Sequence, residues 1–248
     1  GLVESTLWAF GLRINGQLGT GPMKPGEYEH QTATEVVVNI PTQVGRAVVQ
    51  RICCGSDHSL AIVNFVGSSG SYASAEGRVF SWGMNSYGAL GTKSKADSWE
   101  PKEVWFEEDV YSTSSIDVWR NVRVKQVAAG FKHSLALANN GKSEGVVYAW
   151  GHGGNGRLGL GKHLTQQSKA WSSSAEFEPK EVKTGAGSQI KYIAAGEAHS
   201  GAVDQLGGLY TWGQGSHGRC GHGVASDACT PSRVESLLGV AISQISFG

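Results

Sequence analysis

Val147-Tyr-Ala-Trp-Gly-His-Gly-Gly-Asn-Gly-Arg-Leu-Gly159 is one of four closely similar blocks in this chain of 248 residues. Each block opens with an apolar residue and two aromatic residues, and then carries three glycines at the same spacing. An internal repeat sets the architecture, so it has to be recognised before any single motif inside it is interpreted. The other copies are Leu7–Gly19, Val79–Gly91 and Leu209–Gly221.

The repeat extends beyond this block. A Pro-x-x-Val element follows each copy, then a Val-x-x-Val-x-x-Gly element, and after the first three of these a His-Ser pair opens an apolar run. Four short segments per unit, separated by Gly, Pro, Asn and Ser, are typical of strands and turns. No stretch shows a sustained helical period of apolar residues, so the sequence predicts an all-β protein. The elements lie at 41–44, 101–104, 179–182 and 231–234, at 49–55, 124–130, 190–196 and 242–248, and at 58–59, 133–134 and 199–200.

Together these elements resemble the repeat of the regulator-of-chromosome-condensation family, and the likeness covers nearly the whole chain outside its loops. The resemblance implies a β-propeller of four-stranded antiparallel blades, which in this family closes with about seven blades. We therefore expect three complete repeats and one incomplete repeat, forming a partial or open propeller. The sequence leaves open whether the chain is a piece of a longer protein or an arc completed by another chain. The predicted repeats are approximately 1–55 (incomplete), 56–130, 131–196 and 197–248.

The residues shared by the blocks have structural explanations. Glycines at fixed spacing indicate turns that need a positive φ, or a backbone approach too close for a Cβ atom. The aromatic residue before the first glycine is a packing position, and each histidine is expected to find a backbone or hydroxyl partner inside the protein. These structural residues are Gly11, Gly16, Gly19, Gly83, Gly88, Gly91, Gly151, Gly156, Gly159, Gly213, Gly218, Gly221, Trp82, Trp150, Trp212, His58, His133 and His199.

Three apparent chemical motifs are better explained by the repeat. The His-Ser pairs suggest a nucleophile and a base, but a catalytic site is a single constellation, whereas this pair recurs once per unit. Gly151–Gly156 and Gly213–Gly218 fit Gly-x-Gly-x-x-Gly, yet no helix follows to hold a pyrophosphate. The spacing of His217, Cys220, His222 and Cys229 matches no usual zinc pattern. We predict no catalytic residue, no metal and no cofactor.

Charge and cysteine content narrow the function classes. The chain has 21 Lys and Arg against 21 Asp and Glu, so its formal net charge is zero. This balance argues against a protein whose main role is to bind nucleic acid phosphates. No membrane span or secretory signal is visible in these residues. Four cysteines do not form a disulfide scaffold, so we expect the protein to be in an intracellular reducing compartment. The sequence does not identify which compartment this is. Cys53, Cys54 and Cys220 replace alanine or leucine of the other units and are expected to be small buried apolar residues.

Four insertions depart from the repeat, at 21–40, 64–77, 93–122 and 162–178. Function on a repeated scaffold resides in such departures. Between Asp97 and Asp109 there are six acidic residues against one lysine, and four tryptophans in or beside the insertions have no counterpart in the repeat. Aromatic anchors rimmed by charge are typical of a partner surface; the alternative is that the rings pack beneath their own loops. The candidate partner-binding residues are Trp99, Trp105, Phe106, Glu107, Glu108, Asp109, Trp119 and Trp171.

We therefore expect a non-catalytic protein–protein interaction scaffold, as a propeller subunit or domain of a larger protein or multisubunit assembly. The founding member of the family exchanges guanine nucleotide on the small GTPase Ran, so the resemblance offers an exchange factor or GTPase regulator as an alternative. Chromatin binding is a second alternative. The loop lysines that could contact chromatin are Lys93, Lys95, Lys162 and Lys169. The Gly-Trp-Arg-His-Thr run of a light-sensing plant relative is absent.

Overall fold

The computed structural model describes residues 6–39, 46–66, 77–107, 122–161, 175–186 and 189–248. These residues form antiparallel sheets in which each strand pairs with the next along the chain. The two-stranded sheet consists of β1 (Leu7–Leu12) and β2 (Glu29–Val36). The first blade contains β3 (Arg46–Cys54), β4 (His58–Val66), β5 (Arg78–Gly83) and β6 (Ser98–Glu103). The second blade contains β7 (Arg123–Ala129), β8 (His133–Asn139), β9 (Val146–His152) and β10 (Ala175–Val182). The third blade contains β11 (Ile190–Ala195), β12 (His199–Asp204), β13 (Leu209–Gly213) and β14 (Ala228–Arg233).

This arrangement confirms the predicted all-β fold with four-stranded propeller blades. In the described part of the chain, the helical segments are the short 3₁₀ turns Gly154–Gly156, Ser216–Gly218 and Glu235–Leu237. None of the helical segments in these ranges has the length and apolar character that crossing a bilayer requires.

The sheets begin at a different point of the repeat from the predicted units. Each four-stranded sheet starts with the Val-x-x-Val-x-x-Gly strand, so the predicted borders at 55/56, 130/131 and 196/197 fall inside sheets, between their first two strands. A periodic sequence shows the length of its period but not where hydrogen bonding begins and ends. The last copy of this element, Ile242–Gly248, is not a strand; its Ile242 N–H donates to the carbonyl of Gly207 at 3.0 Å.

The predicted insertions contain much of the outermost strand in three of the four sheets. β2 lies inside 21–40, β6 lies inside 93–122, and β10 begins inside 162–178. Asn64–Val66 continues β4 instead of belonging to the insertion 64–77. An outer antiparallel strand that is only partly buried carries many polar residues and therefore lacks a strong apolar signal. Residues 67–76, 108–121 and 162–174 of the predicted insertions lie outside the described residues.

The hydrophobic core fills the spaces between neighbouring sheets. Leu60 and Ile62 of the first blade belong to one buried cluster with Val127 and Trp150 of the second blade, and a similar cluster joins the second and third blades. The repeat tryptophans Trp82, Trp150 and Trp212 are 4%, 0% and 0% exposed. Phe10, at the same position of β1, is 72% exposed, since no sheet among the described residues covers that face. The packing positions are therefore buried only where a neighbouring sheet completes them.

Candidate functional site

A backbone carbonyl in each of the first three glycine blocks connects one sheet to the next. The carbonyl oxygen of Ala89, in the loop after β5, accepts hydrogen bonds from Ser134 Oγ and from Trp150 Nε1, both at 2.8 Å. The two donors act together because Ser134 and Trp150 are directly paired across β8 and β9. The same arrangement joins Gln17 O to Ser59 Oγ and Trp82 Nε1 at 2.9 Å each, and Arg157 O to Ser200 Oγ at 2.8 Å and Trp212 Nε1 at 2.9 Å.

The histidines of the His-Ser pairs complete this interblade contact. His58 Nε2 lies 3.0 Å from Ser134 Oγ in the second blade, and His133 Nε2 lies 2.9 Å from Ser200 Oγ in the third. Each serine hydroxyl donates its proton to a carbonyl, so the neutral imidazole must carry its proton on Nε2 and donate to the hydroxyl oxygen. His, Ser and Trp thus form one repeated structural contact.

Burial keeps these imidazoles neutral. His58 and His133 are 2% and 0% exposed. Desolvation lowers the pKa of His58 to about 4, although the nearby Asp57 opposes the shift. Desolvation also lowers the pKa of His133 well below its usual range, with a further contribution from the Arg157 guanidinium. A buried hydroxyl that donates to a carbonyl and accepts from a neutral imidazole is poorly placed to act as an activated nucleophile.

His199 has a different environment. Its ring centroid lies 4.4 Å from that of Phe247, and no serine among the described residues occupies the place that Ser134 and Ser200 take beside the other histidines. Burial lowers the pKa of His199, and Arg219 adds to the effect.

The residues that accept these hydrogen bonds do not stand out in the amino-acid sequence. Gln17, Ala89 and Arg157 occupy the same position of the repeat but have unrelated side chains, because only their backbone carbonyl is used. Arg157 is itself buried and donates to the carbonyls of Gly154 and Glu197 at 2.9 and 3.2 Å. The sequence marks this position only by its constant spacing, because each of the three residues lies two residues before the last glycine of its block.

The described candidate partner-binding residues differ in their exposure. Phe106 is 6% exposed and makes edge-to-face contacts with Tyr148 and Trp150, at centroid distances of 5.0 and 6.3 Å. Phe106 is thus a core residue, as in the alternative of self-packing. Trp99 and Trp105 are half-buried, and the indole N–H of Trp99 has no acceptor among the described residues. Glu107 is exposed, with its carboxylate 3.5 Å from Lys180 Nζ. Glu108, Asp109, Trp119 and Trp171 lie outside the described residues.

The position of Phe106 gives a first prediction. Replacing Phe106 with alanine is expected to lower the free energy of unfolding by about 3 to 5 kcal/mol, because it empties a buried site between blades. The exposed Phe10 is the matched control, and Phe10→Ala should cost less than about 1 kcal/mol. Urea denaturation measures both values. Similar small costs for the two variants would show that Phe106 is not part of the core.

Two of the loop lysines considered for chromatin contact, Lys93 and Lys95, lie against the second blade. Lys93 donates its backbone N–H to the carbonyl of Phe177 at 2.8 Å, and its Nζ lies 3.2 Å from Glu178. Lys95 Nζ lies 5.6 Å from the centre of the Phe177 ring. The hydrogen bond from Lys180 is the main cause that lowers the pKa of Glu178. Lys162 and Lys169 lie outside the described residues.

The cysteines only partly match expectation. Cys220 is buried and Cys53 is partly buried, and desolvation raises the pKa of both thiols. Cys54 is exposed, which corrects the prediction of a buried residue. It lines a 220 Å³ cavity between the two-stranded sheet and the first blade, where less protein covers it than covers its repeat counterparts. All four thiols are free, and within the described ranges no three His, Cys, Asp or Glu side chains are grouped to hold a metal.

Comparison with known proteins gives a consistent result. The model of the regulator of chromosome condensation (RCC1) repeat matches residues 4–62, 76–137, 144–203 and 207–248. The chain is 32% identical over 224 residues to the ultraviolet-B receptor UVR8 of Arabidopsis thaliana, covering 90% of this chain and 42% of the receptor. It is 30% identical to the probable E3 ubiquitin-protein ligase HERC3 of Homo sapiens, covering 87% of this chain and 17% of the ligase.

A solved structure shows the same fold. The crystal structure of Prp20p from Saccharomyces cerevisiae matches with a TM-score of 0.70 at 24% identity, over 98% of this chain and 50% of that one. The chain therefore spans half or less of the length of each of these relatives.

Proposed function

This chain belongs to the regulator of chromosome condensation (RCC1) repeat family, and we propose that its blades are a non-catalytic protein–protein interaction scaffold. The scaffold acts as a propeller domain or subunit of a larger protein or multisubunit assembly. We also place it in an intracellular reducing compartment, which suits a chain with four free thiols.

The observation that carries this proposal is the use of the repeat's reactive side chains in contacts between blades. His58 and His133 bond to serines of the following blade, and those serines donate to carbonyls. A general base has to reach its substrate and titrate near the working pH, whereas both imidazoles are buried with a low pKa. The repeat therefore supplies structure, and the loops are left to supply specificity.

The insertion 93–122, which contains β6, is the surface that we propose for partner contact. Its described part combines the half-buried rings of Trp99 and Trp105 with the exposed carboxylate of Glu107. Tryptophan is enriched among the residues that dominate binding energy at protein interfaces.

The test is capture of a partner from the native source by the full-length protein. A variant with Trp99→Ala, Trp105→Ala, Glu107→Lys and Glu108→Lys is expected to lose the captured partner while its melting temperature changes little. The control variant Leu206→Ala with Val224→Ala removes two apolar side chains that are 79% and 57% exposed in the third blade, and it should keep the partner. Loss of the partner in both variants, or a collapsed melting temperature in the first, would reject this surface.

Guanine nucleotide exchange on a small GTPase is the competing function. Prp20p has binding properties toward Gsp1p and histones, and this is a property of that protein. Purified full-length protein would be mixed with a small GTPase loaded with fluorescent nucleotide, and the release rate would be measured. We expect the protein not to accelerate nucleotide release. A marked acceleration would show that the protein is an exchange factor and would reject the scaffold proposal. Histone binding by the same protein would favour the chromatin alternative.

A further inference from the structure

A cationic groove lies where the β8–β9 turn of the second blade meets residues 183–186, which follow β10, and the beginning of β11 in the third blade. Its larger part is an open cavity of 1160 Å³, and a smaller cavity of 300 Å³ adjoins it. The two cavities share Glu144, Gly145 and Gln189, so they form one continuous groove. The cations that line it are Arg51, Arg123, Lys125, Lys142, Lys183 and Lys191.

Positive charge in this groove is not balanced locally. Against six cations, the lining holds only the carboxylates of Glu144 and Glu181, and Glu181 pairs with Lys183 at 2.5 Å. Across the portion of the chain that the structure covers, the other five cations make no ion pair. The whole chain carries equal numbers of cationic and anionic residues, so the groove is a local concentration of positive charge.

The walls of the groove are held in place before any ligand arrives. Gln126 of β7 donates to the carbonyl of Ile193 in β11 at 2.8 Å and accepts from its N–H at 3.1 Å. This pair of hydrogen bonds fixes the two strands that carry Lys125 and Lys191. In the β8–β9 turn, the Asn140 carboxamide oxygen accepts from the backbone N–H groups of Lys142 and Ser143 at 3.2 and 2.9 Å. A preorganised site loses less entropy when it binds a ligand.

We propose that the cationic groove binds an extended acidic peptide segment of a partner protein. This inference rests on the proposed scaffold function and names the chemistry of one of its partners. Separated carboxylates of a peptide can pair with the lysines and arginines while avoiding Glu144 and Glu181. A nucleic acid presents phosphates without such gaps, so the two carboxylates in the lining disfavour it.

The test measures fluorescence anisotropy of a labelled decapeptide of alternating Glu and Gly residues, titrated with full-length protein at low ionic strength. The variant Lys125→Glu with Lys191→Glu should weaken binding at least tenfold, which is about 1.4 kcal/mol. The matched control is Lys102→Glu with Arg233→Glu, which makes the same charge change at exposed positions of β6 and β14. The control should bind within about twofold of the parent protein, and both variants should keep the parent melting temperature.

Three results would overturn the groove assignment. They are absence of binding by the parent protein, equal weakening in the two double variants, and tighter binding of a single-stranded oligonucleotide than of the peptide. A decapeptide with Gln in place of Glu should not bind, and its binding would also contradict the charge argument. If the peptide test fails while the Trp99 and Trp105 variant still loses its captured partner, the scaffold stands and the acidic peptide assignment fails.

Discussion

Replacing Gly88 with valine is expected to lower the free energy of unfolding by about 4 kcal/mol, because two penalties act together. Gly88 has a φ of +81°, which costs a residue with a Cβ atom about 1 to 2 kcal/mol. A Cβ atom there would also lie 2.5 Å from the carbonyl oxygen of Glu176, in the outer strand of the second blade. Because that atom belongs to backbone, the two blades would have to move apart. Urea denaturation followed by circular dichroism measures the loss.

Gly218→Val is the matched control for this experiment. Gly218 occupies the same position of its block and has a φ of +72°, but a Cβ atom there meets nothing within 4 Å. This variant should therefore show only the conformational cost of about 1 to 2 kcal/mol. Equal losses at Gly88 and Gly218 would mean that the contact between blades contributes nothing measurable at this position.

Stability is expected to fall steeply between about pH 6.5 and pH 4, because the histidines between blades are buried without charge. In the unfolded chain these histidines bind protons as the pH falls below about 6.5. In the folded chain His58 resists protonation until its pKa of about 4. The unfolded state thus binds more protons throughout this window, so stability is full above it and is lost as the pH falls. His58 alone accounts for about 3 kcal/mol, and His133 acts in the same direction.

Denaturation curves at a series of pH values, for the parent protein and for His58→Gln, measure this effect. Glutamine can donate to Ser134 from a position close to that of Nε2 but does not titrate, so the variant should have a shallower dependence on pH. The control His30→Gln changes a residue of β2 that bonds to Thr20 and should keep the steep dependence. An unchanged slope in His58→Gln would show that His58 is not the titrating group.

The repeated His, Ser and Trp contacts between blades run in the same direction along the chain. A histidine and a carbonyl of one blade engage a serine and a tryptophan of the next, in two successive junctions. Stability in such an array depends on nearest-neighbour interfaces as well as on each unit. The open space around Gly218 and the exposed ring of Phe10 lie at the two ends of this series, where the described residues supply no further sheet.

Several features followed directly from the amino-acid sequence. The spacing of the glycines, the position of each tryptophan and the alternation of short apolar runs are local patterns, and they predicted strands, turns and packing positions that recur in every blade. Gly88 shows why this succeeded, because its φ of +81° is a property of one turn. The resemblance to a known repeat added the propeller, and the four-stranded sheets confirm it.

The tertiary structure decided the properties that depend on neighbouring blades. Phe106 and Phe10 are both aromatic residues in strand-like surroundings, yet one is 6% and the other 72% exposed, because the described residues place a sheet against only one of them. Arg51, Lys125 and Lys191 belong to three different blades and meet in one groove. Burial and local charge arise from side chains that are distant along the chain, so a pattern read one segment at a time does not contain them.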